Sequence, residues 1–236
     1  MREDDGPAAS AAVFDLDGTL IDSTPLIDST PDITSAMNRV MNGIGKECLD
    51  VSYVESFIGN GSRSMIRRIF DDMKIDHSPA ELNRYLEDYM QFYAEEPVSR
   101  TSLYPNVRND LGALHSRGIK LGICTNKPHA LAKIVLRNLR IDHLFDVVLG
   151  ADAVTSRKPH RQHLLSVIEE LGITPERSVY VGDTEIDFAC AQSAGVRFFL
   201  VGWGGGRFIS DTQRARLSRL VDILPAVAGT GGTAKG

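Results

Sequence analysis

Cysteine is scarce in this sequence, and so are uninterrupted runs of any kind. The three cysteines, Cys48, Cys124 and Cys190, are odd in number and widely spaced. That argues against a disulfide framework or a zinc cluster and fits reduced, largely buried thiols in a cytoplasmic protein. No apolar stretch approaches the ~20 residues of a membrane-spanning helix, so no membrane partner is expected. Lys/Arg runs are missing too. The 26 Lys+Arg stand against 31 Asp+Glu, a net charge of −5, and nucleic acid is an unsuitable partner for such a surface. Residues 1–10 are small and acidic, the wrong composition for a signal peptide. With residues 225–236 they read as disordered tails.

What the chain does have is a sizeable apolar fraction, 42% of its 236 residues. That is enough for one large α/β domain and a small second one. The rhythm changes twice. Residues 11–15 read as a strand. From residue 32 to about 97 the spacing is helical, with Ile33, Ala36, Met37 and Val40 on one face, then Met65, Ile66, Ile69 and Phe70 behind a Ser62 cap. Ser78-Pro79-Ala80-Glu81 opens a fourth helix through Leu82, Tyr85, Leu86, Tyr89 and Phe92. After Pro97 helices and strands alternate, with strands expected at 120–125, 145–149, 179–181 and 198–201 and a last helix at 212–220. This order predicts a Rossmann-like parallel sheet with a small α-helical cap inserted in it. The expected division is a core of residues 11–24 and 98–224 and a cap of residues 25–97.

The organising stretch is residues 13–20, Val-Phe-Asp-Leu-Asp-Gly-Thr-Leu. Val13 and Phe14 end a buried strand, so Asp15 and Asp17 leave it at its carboxyl end, where open α/β sheets place their sites. Two acids this close repel unless a cation lies between them or one is protonated. A divalent ion with a phosphate ester suits them: one carboxylate attacks phosphorus, the other moves a proton.

Three more clusters follow predicted strands. Thr125-Asn126-Lys127-Pro128 offers a hydroxyl and an amide to phosphate oxygens ahead of a helix. Lys158, in Arg157-Lys158-Pro159, can neutralise a carboxylate and a phosphoryl group together. In Gly182-Asp183-Thr184-Glu185-Ile186-Asp187, Asp183 can supply an oxygen ligand to Mg²⁺. Asp187 reads either as a residue behind that ligand or as an acid favoured by the helix dipole. His160 and His163 read as loop and helix surface, and the Gly202-Trp203-Gly204 stretch as a loop bordering the site.

In type and order these clusters resemble the four motifs of the haloacid dehalogenase-like hydrolases, over residues 11–205. Phe57-Ile58-Gly59-Asn60-Gly61, Leu103-Tyr104-Pro105-Asn106-Val107 and Thr125-Asn126-Lys127-Pro128 are similar to the phosphoglycolate phosphatase group. Arg161 departs from the proline common at that place. The resemblance implies an aspartyl-phosphate on Asp15 and a general acid–base role for Asp17. It implies Mg²⁺ on Asp15, the Asp17 carbonyl and Asp183, and a phosphoryl group held by Thr125, Asn126 and Lys158. The implied partner is a small phosphorylated metabolite, best 2-phosphoglycolate, acted on by a monomer or homodimer. A β-phosphoglucomutase-like mutase, an inorganic pyrophosphatase and an inactive regulatory domain are the alternatives. The substrate's second charge calls for a cation in the cap, and Arg63, at a helix start, is the candidate beside the reading of a solvated arginine.

One feature is foreign to that pattern: Leu-Ile-Asp-Ser-Thr-Pro at residues 20–25 is repeated at once at 26–31. Six extra helical residues would rotate everything beyond by roughly 240°, so a looped-out segment centred near Pro25 is expected. Removing either copy gives the same protein. That variant is expected to fold and to keep its turnover; an insoluble or inactive product would make the repeat an integral part of the site.

Overall fold

The computed structural model describes residues 11–22, 29–58, 61–95, 101–204 and 216–227. Six parallel strands form one sheet in the order β3-β2-β1-β4-β5-β6: β1 (Ala11–Phe14), β2 (Lys120–Cys124), β3 (Val147–Leu149), β4 (Ser178–Gly182), β5 (Arg197–Val201) and β6 (Arg216–Leu217). Strand β1 lies inside, between β2 and β4, and all four of its residues are buried. It therefore reads as an unbroken apolar run rather than an alternating one, as a strand covered on both faces must. Ala11 and Val13 pack with Leu164, Val167 and Tyr180 on one side, while Ala12 and Phe14 join the larger core on the other.

The crossovers are helices: α5 (Val107–His115), α6 (His129–Asn138), α7 (Arg161–Glu170) and α8 (Glu185–Ala194). Helices α7 and α8 pack together on one face of the sheet, and α7 covers β1, β2 and β3. Gly122 of β2 makes that approach possible, since a Cβ there would lie 2.7 Å from Val167. The expected helix at 212–220 is corrected in its described part. Residues 216–217 instead add the edge strand β6, a sixth strand. Asp222 then accepts from the backbone N–H groups of Ser218 and Arg219, and helical turns start only at Leu220. Of the cysteines, Cys124 and Cys190 are buried as expected, but Cys48 is exposed.

Between β1 and α5 the described residues form four helices: α1 (Ser29–Gly43), α2 (Val51–Glu55), α3 (Ser62–Asp72) and α4 (Pro79–Glu95). Helix α4 packs on both α1 and α3. Its buried seam is Leu82, Tyr89 and Tyr93, so Tyr93 replaces the expected Phe92, which is half-buried. Ser78 and Glu81 cap α4 reciprocally, as their spacing predicts. Ser62 does not cap α3; Gly61 holds that position and Ser62 is the first helical residue.

The chain leaves and returns side by side. Asp22 N–H donates to the Ser102 carbonyl (2.9 Å) and Tyr104 N–H to the Leu20 carbonyl (3.1 Å). Thr101 Oγ1 donates to buried Asp32 at the start of α1 (2.8 Å). Both expected division points, near residues 24 and 97, lie outside the described residues, as does the loop expected around Pro25. The second copy of the repeat ends inside α1, which takes up Ser29, Thr30 and Pro31.

Candidate active site

Sheet register assembles the site. Phe14 of β1 is level with Ile123 of β2 and Val181 of β4. Asp15 comes one residue later, its N–H donating to the Val181 carbonyl (2.9 Å). Thr125 and Asp183 emerge at the same edge, just past the carboxyl ends of β2 and β4. Strand order reverses here, since β2 and β3 build out on one side of β1 and β4 to β6 on the other. This is the crevice in which open α/β sheets bind ligands.

A cavity of about 210 Å³ opens there, lined by Asp15, Asp17, Thr125, Asn126, Lys158 and Asp183. Helices α1 to α4 supply its other wall through Ile33, Glu55, Met65 and Tyr89, together with Ile58 of the turn after α2. Arg63 is not on that wall. It sits one residue past Ser62 on the outer side of α3, is exposed, and its guanidinium binds Asn83 of α4. The expectation that Arg63 faces the substrate is corrected: the helix start points Ser62 and Met65 inward, and Arg63 outward.

Lys158 is the electrostatic hub. Buried to 3% exposure, its ammonium lies 2.8 Å from Asp15 Oδ1 and 2.6 Å from Asp187 Oδ1, and it donates to the Tyr180 hydroxyl at 3.1 Å. Asn126 Nδ2 donates to the Lys158 carbonyl (3.2 Å). His163 Nδ1 accepts from the Lys158 N–H (3.3 Å). So His163 is not a surface residue but a buried support. Burial, then the Lys158 charge, push its pKa down to about 4, and the neutral ring is free to accept.

Asp187 is an acid in the first turn of α8, and it also holds Lys158. Its Oδ2 accepts from the Thr184 N–H (3.0 Å) and hydroxyl (2.5 Å) in a capping box on α8, while Oδ1 holds Lys158. Burial alone would raise its pKa, but Lys158 and the other donors hold it below the ordinary carboxylate range. Asp15 goes the other way. Burial, followed by the charge of Asp187, pushes it up to about 7 despite Lys158. Asp183 accepts from Thr19 Oγ1 (3.1 Å). Gly18, at φ 83°, passes so close that a Cβ would lie 2.3 Å from Asp183 Oδ2. Trp203 Nε1 donates to the Thr19 carbonyl (2.9 Å), so the loop after β5 does border the motif loop.

The residues fit a divalent cation. Oxygens of Asp15, Asp183 and Asp187 lie within 4.8 Å of one another. Asp187 spends its oxygens on Lys158 and Thr184, which leaves Asp15 and Asp183 as the natural ligand pair. Asp15, Asp17, Asp183 and Asp187 against Lys127 and Lys158 leave a formal charge of −2. One divalent ion balances that charge. Thr19, Lys127, His163 and Tyr180 were not singled out as site residues by the sequence. Thr19 and Lys127 carried a signal as members of the residue 13–20 stretch and the Thr-Asn-Lys-Pro block.

Two carboxylates beside a buried lysine, in a cavity at the reversal of strand order, are groups that a hydrolase of phosphoric monoesters needs. The chain belongs to the haloacid dehalogenase-like hydrolases, whose family model matches residues 12–201. It is similar to the phosphoglycolate phosphatase of Cereibacter sphaeroides, 38% identical over 80% of this chain and 83% of that protein. The phosphoglycolate phosphatase of Aquifex aeolicus is 33% identical over 90% of this chain and 93% of its own length. Among solved structures, one described as a predicted phosphoglycolate phosphatase from Haemophilus somnus superposes with a TM-score of 0.80 at 27% identity. That match covers 92% of this chain and 97% of the other.

Asp187→Ala is expected to leave Lys158 with one carboxylate fewer and α8 uncapped. Breaking a buried ion pair costs about 3–5 kcal/mol, to be read as a lowered urea midpoint. A loss below about 1 kcal/mol, the typical worth of a cap alone, would mean that Lys158 does not depend on Asp187.

Proposed function

We propose that this chain is a Mg²⁺-dependent phosphatase that hydrolyses a small phosphorylated metabolite through an aspartyl-phosphate, with 2-phosphoglycolate its substrate. The observation that carries the reading is Asp15, whose Oδ1 is held 2.8 Å from Lys158 at the floor of the cavity while the carboxylate faces the space a phosphoryl group would fill. Asp15 attacks phosphorus in line, and the P–O bond to the leaving alkoxide breaks. Asp17 gives that alkoxide its proton, then takes one from the water that hydrolyses the aspartyl-phosphate. Thr125, Asn126 and Lys158 position the phosphoryl oxygens, since phosphoryl transfer is governed by positioning and charge stabilisation. Asp15, Asp183 and the Asp17 carbonyl would hold Mg²⁺, which supplies charge neutralisation to the phosphoryl oxygens.

The cavity of about 210 Å³ suits an ester of a few carbons and is below the usual drug-sized range of roughly 300–1,000 Å³. We assign residues 25–97 to a cap that closes over it and residues 11–24 and 98–224 to the catalytic core. The wall residues Ile33, Glu55, Ser62, Met65 and Tyr89, contributed by α1 to α4, support that assignment. The three free thiols support a cytoplasmic setting, in which the chain works as a monomer or homodimer. No helix among the described residues is long and apolar enough to cross a membrane.

The test is phosphate release with Mg²⁺ from 2-phosphoglycolate, glycerol phosphate, β-glucose 1-phosphate, pyrophosphate and p-nitrophenyl phosphate. The greatest kcat/KM is expected for 2-phosphoglycolate, with activity lost on chelation and restored by Mg²⁺. Asp15→Asn should abolish turnover and trap no labelled phosphoprotein. Normal turnover by that variant would remove Asp15 from the mechanism, and a preference for β-glucose 1-phosphate would shift the substrate to a sugar phosphate.

Burial also predicts a pH dependence for metal binding. With Asp15 near 7 in the metal-free protein, protons compete with the cation below that value. Mg²⁺ affinity should climb as pH rises from 5.5 to 7.5 and then level off, as measured by calorimetry. An affinity that is flat across this range would show either that Asp15 is not a ligand or that it is already ionised at pH 5.5.

A further inference from the structure

Lys127 has no part in the scheme above, yet it is the second buried ammonium of the cavity. Its backbone is fixed at both ends. The N–H donates to Thr125 Oγ1 (3.1 Å) and the carbonyl accepts from Ala151 (3.1 Å). The side chain runs inward, leaving the residue 8% exposed, and its Nζ donates to both oxygens of Asp17, at 3.2 and 3.4 Å. On the other side the ammonium stands 4.9 Å from the centre of the Tyr93 ring, itself fully buried. A cation so placed gains from the ring's negative face, more so where water is excluded. Lys127 is thus clamped between a carboxylate of the sheet edge and an aromatic ring of α4.

We propose that Lys127 is a positioning residue for Asp17: it fixes the rotamer of that carboxylate at the mouth of the cavity, on the side where the ester's alkoxide leaves. Two donor contacts to the two oxygens leave the carboxylate no free rotation, whereas Asp17 is otherwise the most accessible of the four acids, its side chain 22% exposed. Lys158 cannot substitute, since its ammonium is already shared by Asp15, Asp187 and Tyr180. Tyr93 ties this arrangement to α4, so the helices that wall the cavity also bear on the group that protonates the leaving oxygen. This inference rests on the acid–base role given to Asp17 above.

Leaving-group dependence separates a positioning role from a structural one. An alkoxide needs a proton to depart and p-nitrophenolate does not, and kcat/KM reports only the steps through departure. Lys127→Met keeps an unbranched side chain of similar length and removes the charge. We expect it to lower kcat/KM for the best alkyl ester of the panel at least about tenfold more than for p-nitrophenyl phosphate, within the ~10²–10⁴-fold range of general acid catalysis. Lys127→Arg, which keeps a donor cation over the ring, should recover part of that difference, and it is the variant to rely on should Lys127→Met not fold. Equal slowing of both esters in either folded variant overturns the proposal. Asp17→Asn run alongside identifies a different failure: if it too slows both esters equally, the acid role of Asp17 falls, not merely its positioning by Lys127.

Discussion

Four carboxylates meet at one edge of one parallel sheet, and the rest of the structure depends on keeping them there. Isolated buried carboxylates would protonate or drive the loops apart. Two lysines prevent this in different ways. Lys158 sits below, shared by Asp15 and Asp187, and the carboxylates on either side overcome the burial that would otherwise lower its pKa. Lys127 sits above, on Asp17. The deficit of positive charge that remains is what makes the edge receptive to a divalent ion. Burial first, and the charge of Asp187 second, push the Asp15 carboxyl up to about 7.

The supports of that edge are drawn from residues whose chemistry is unremarkable in isolation. Tyr180 lies in the middle of β4, where an apolar residue would pack as well, but its hydroxyl reaches Lys158 and stands 3.0 Å from the Cys124 carbonyl. His163 is one turn into α7 and reaches back to the Lys158 N–H on one ring nitrogen and to the Leu149 carbonyl on the other. Each satisfies a polar group that burial would otherwise leave orphaned: Tyr180 meets the Lys158 ammonium and His163 its backbone, and neither adds a charge of its own.

These differences mark what a sequence can and cannot convey. The parallel sheet was legible because β1, β2 and β4 are buried on both faces and so appear as short unbroken apolar runs bounded by glycine and acid. The gathering of Asp15, Asp17, Thr125, Asn126 and Asp183 at one sheet edge was legible because each follows such a run, whereas Lys158, on the loop after β3, was marked only by its Arg-Lys-Pro block. Strand β6 was not, since two residues carry no period, and their pairing with β5 depends on the sheet already being there. Arg63 misled because its position at a helix start says nothing about which way the helix is rotated; that is decided by Met65, Ile66, Ile69 and Phe70 packing inward. Tyr180 and His163 were illegible for the same reason: a partner some twenty residues away, or five, is set by the turn between them rather than by spacing.

The placement of β1 has a consequence for how the protein comes into being. Its nucleophile candidate stands near the start of the chain and its metal-ligand candidate, Asp183, near the end, yet they are neighbours because β4 docks directly against β1. Trp203, later still, closes on Thr19. During synthesis the helical segment and the β2–β3 half emerge long before β4 does, so β1 waits with one edge unpaired. Such long-range closure is slow and exposes strand edges to other chains. A nascent chain therefore carries Asp15 without its neighbours for as long as β4 is missing, and the site becomes whole only once Asp183 and Asp187 have been made.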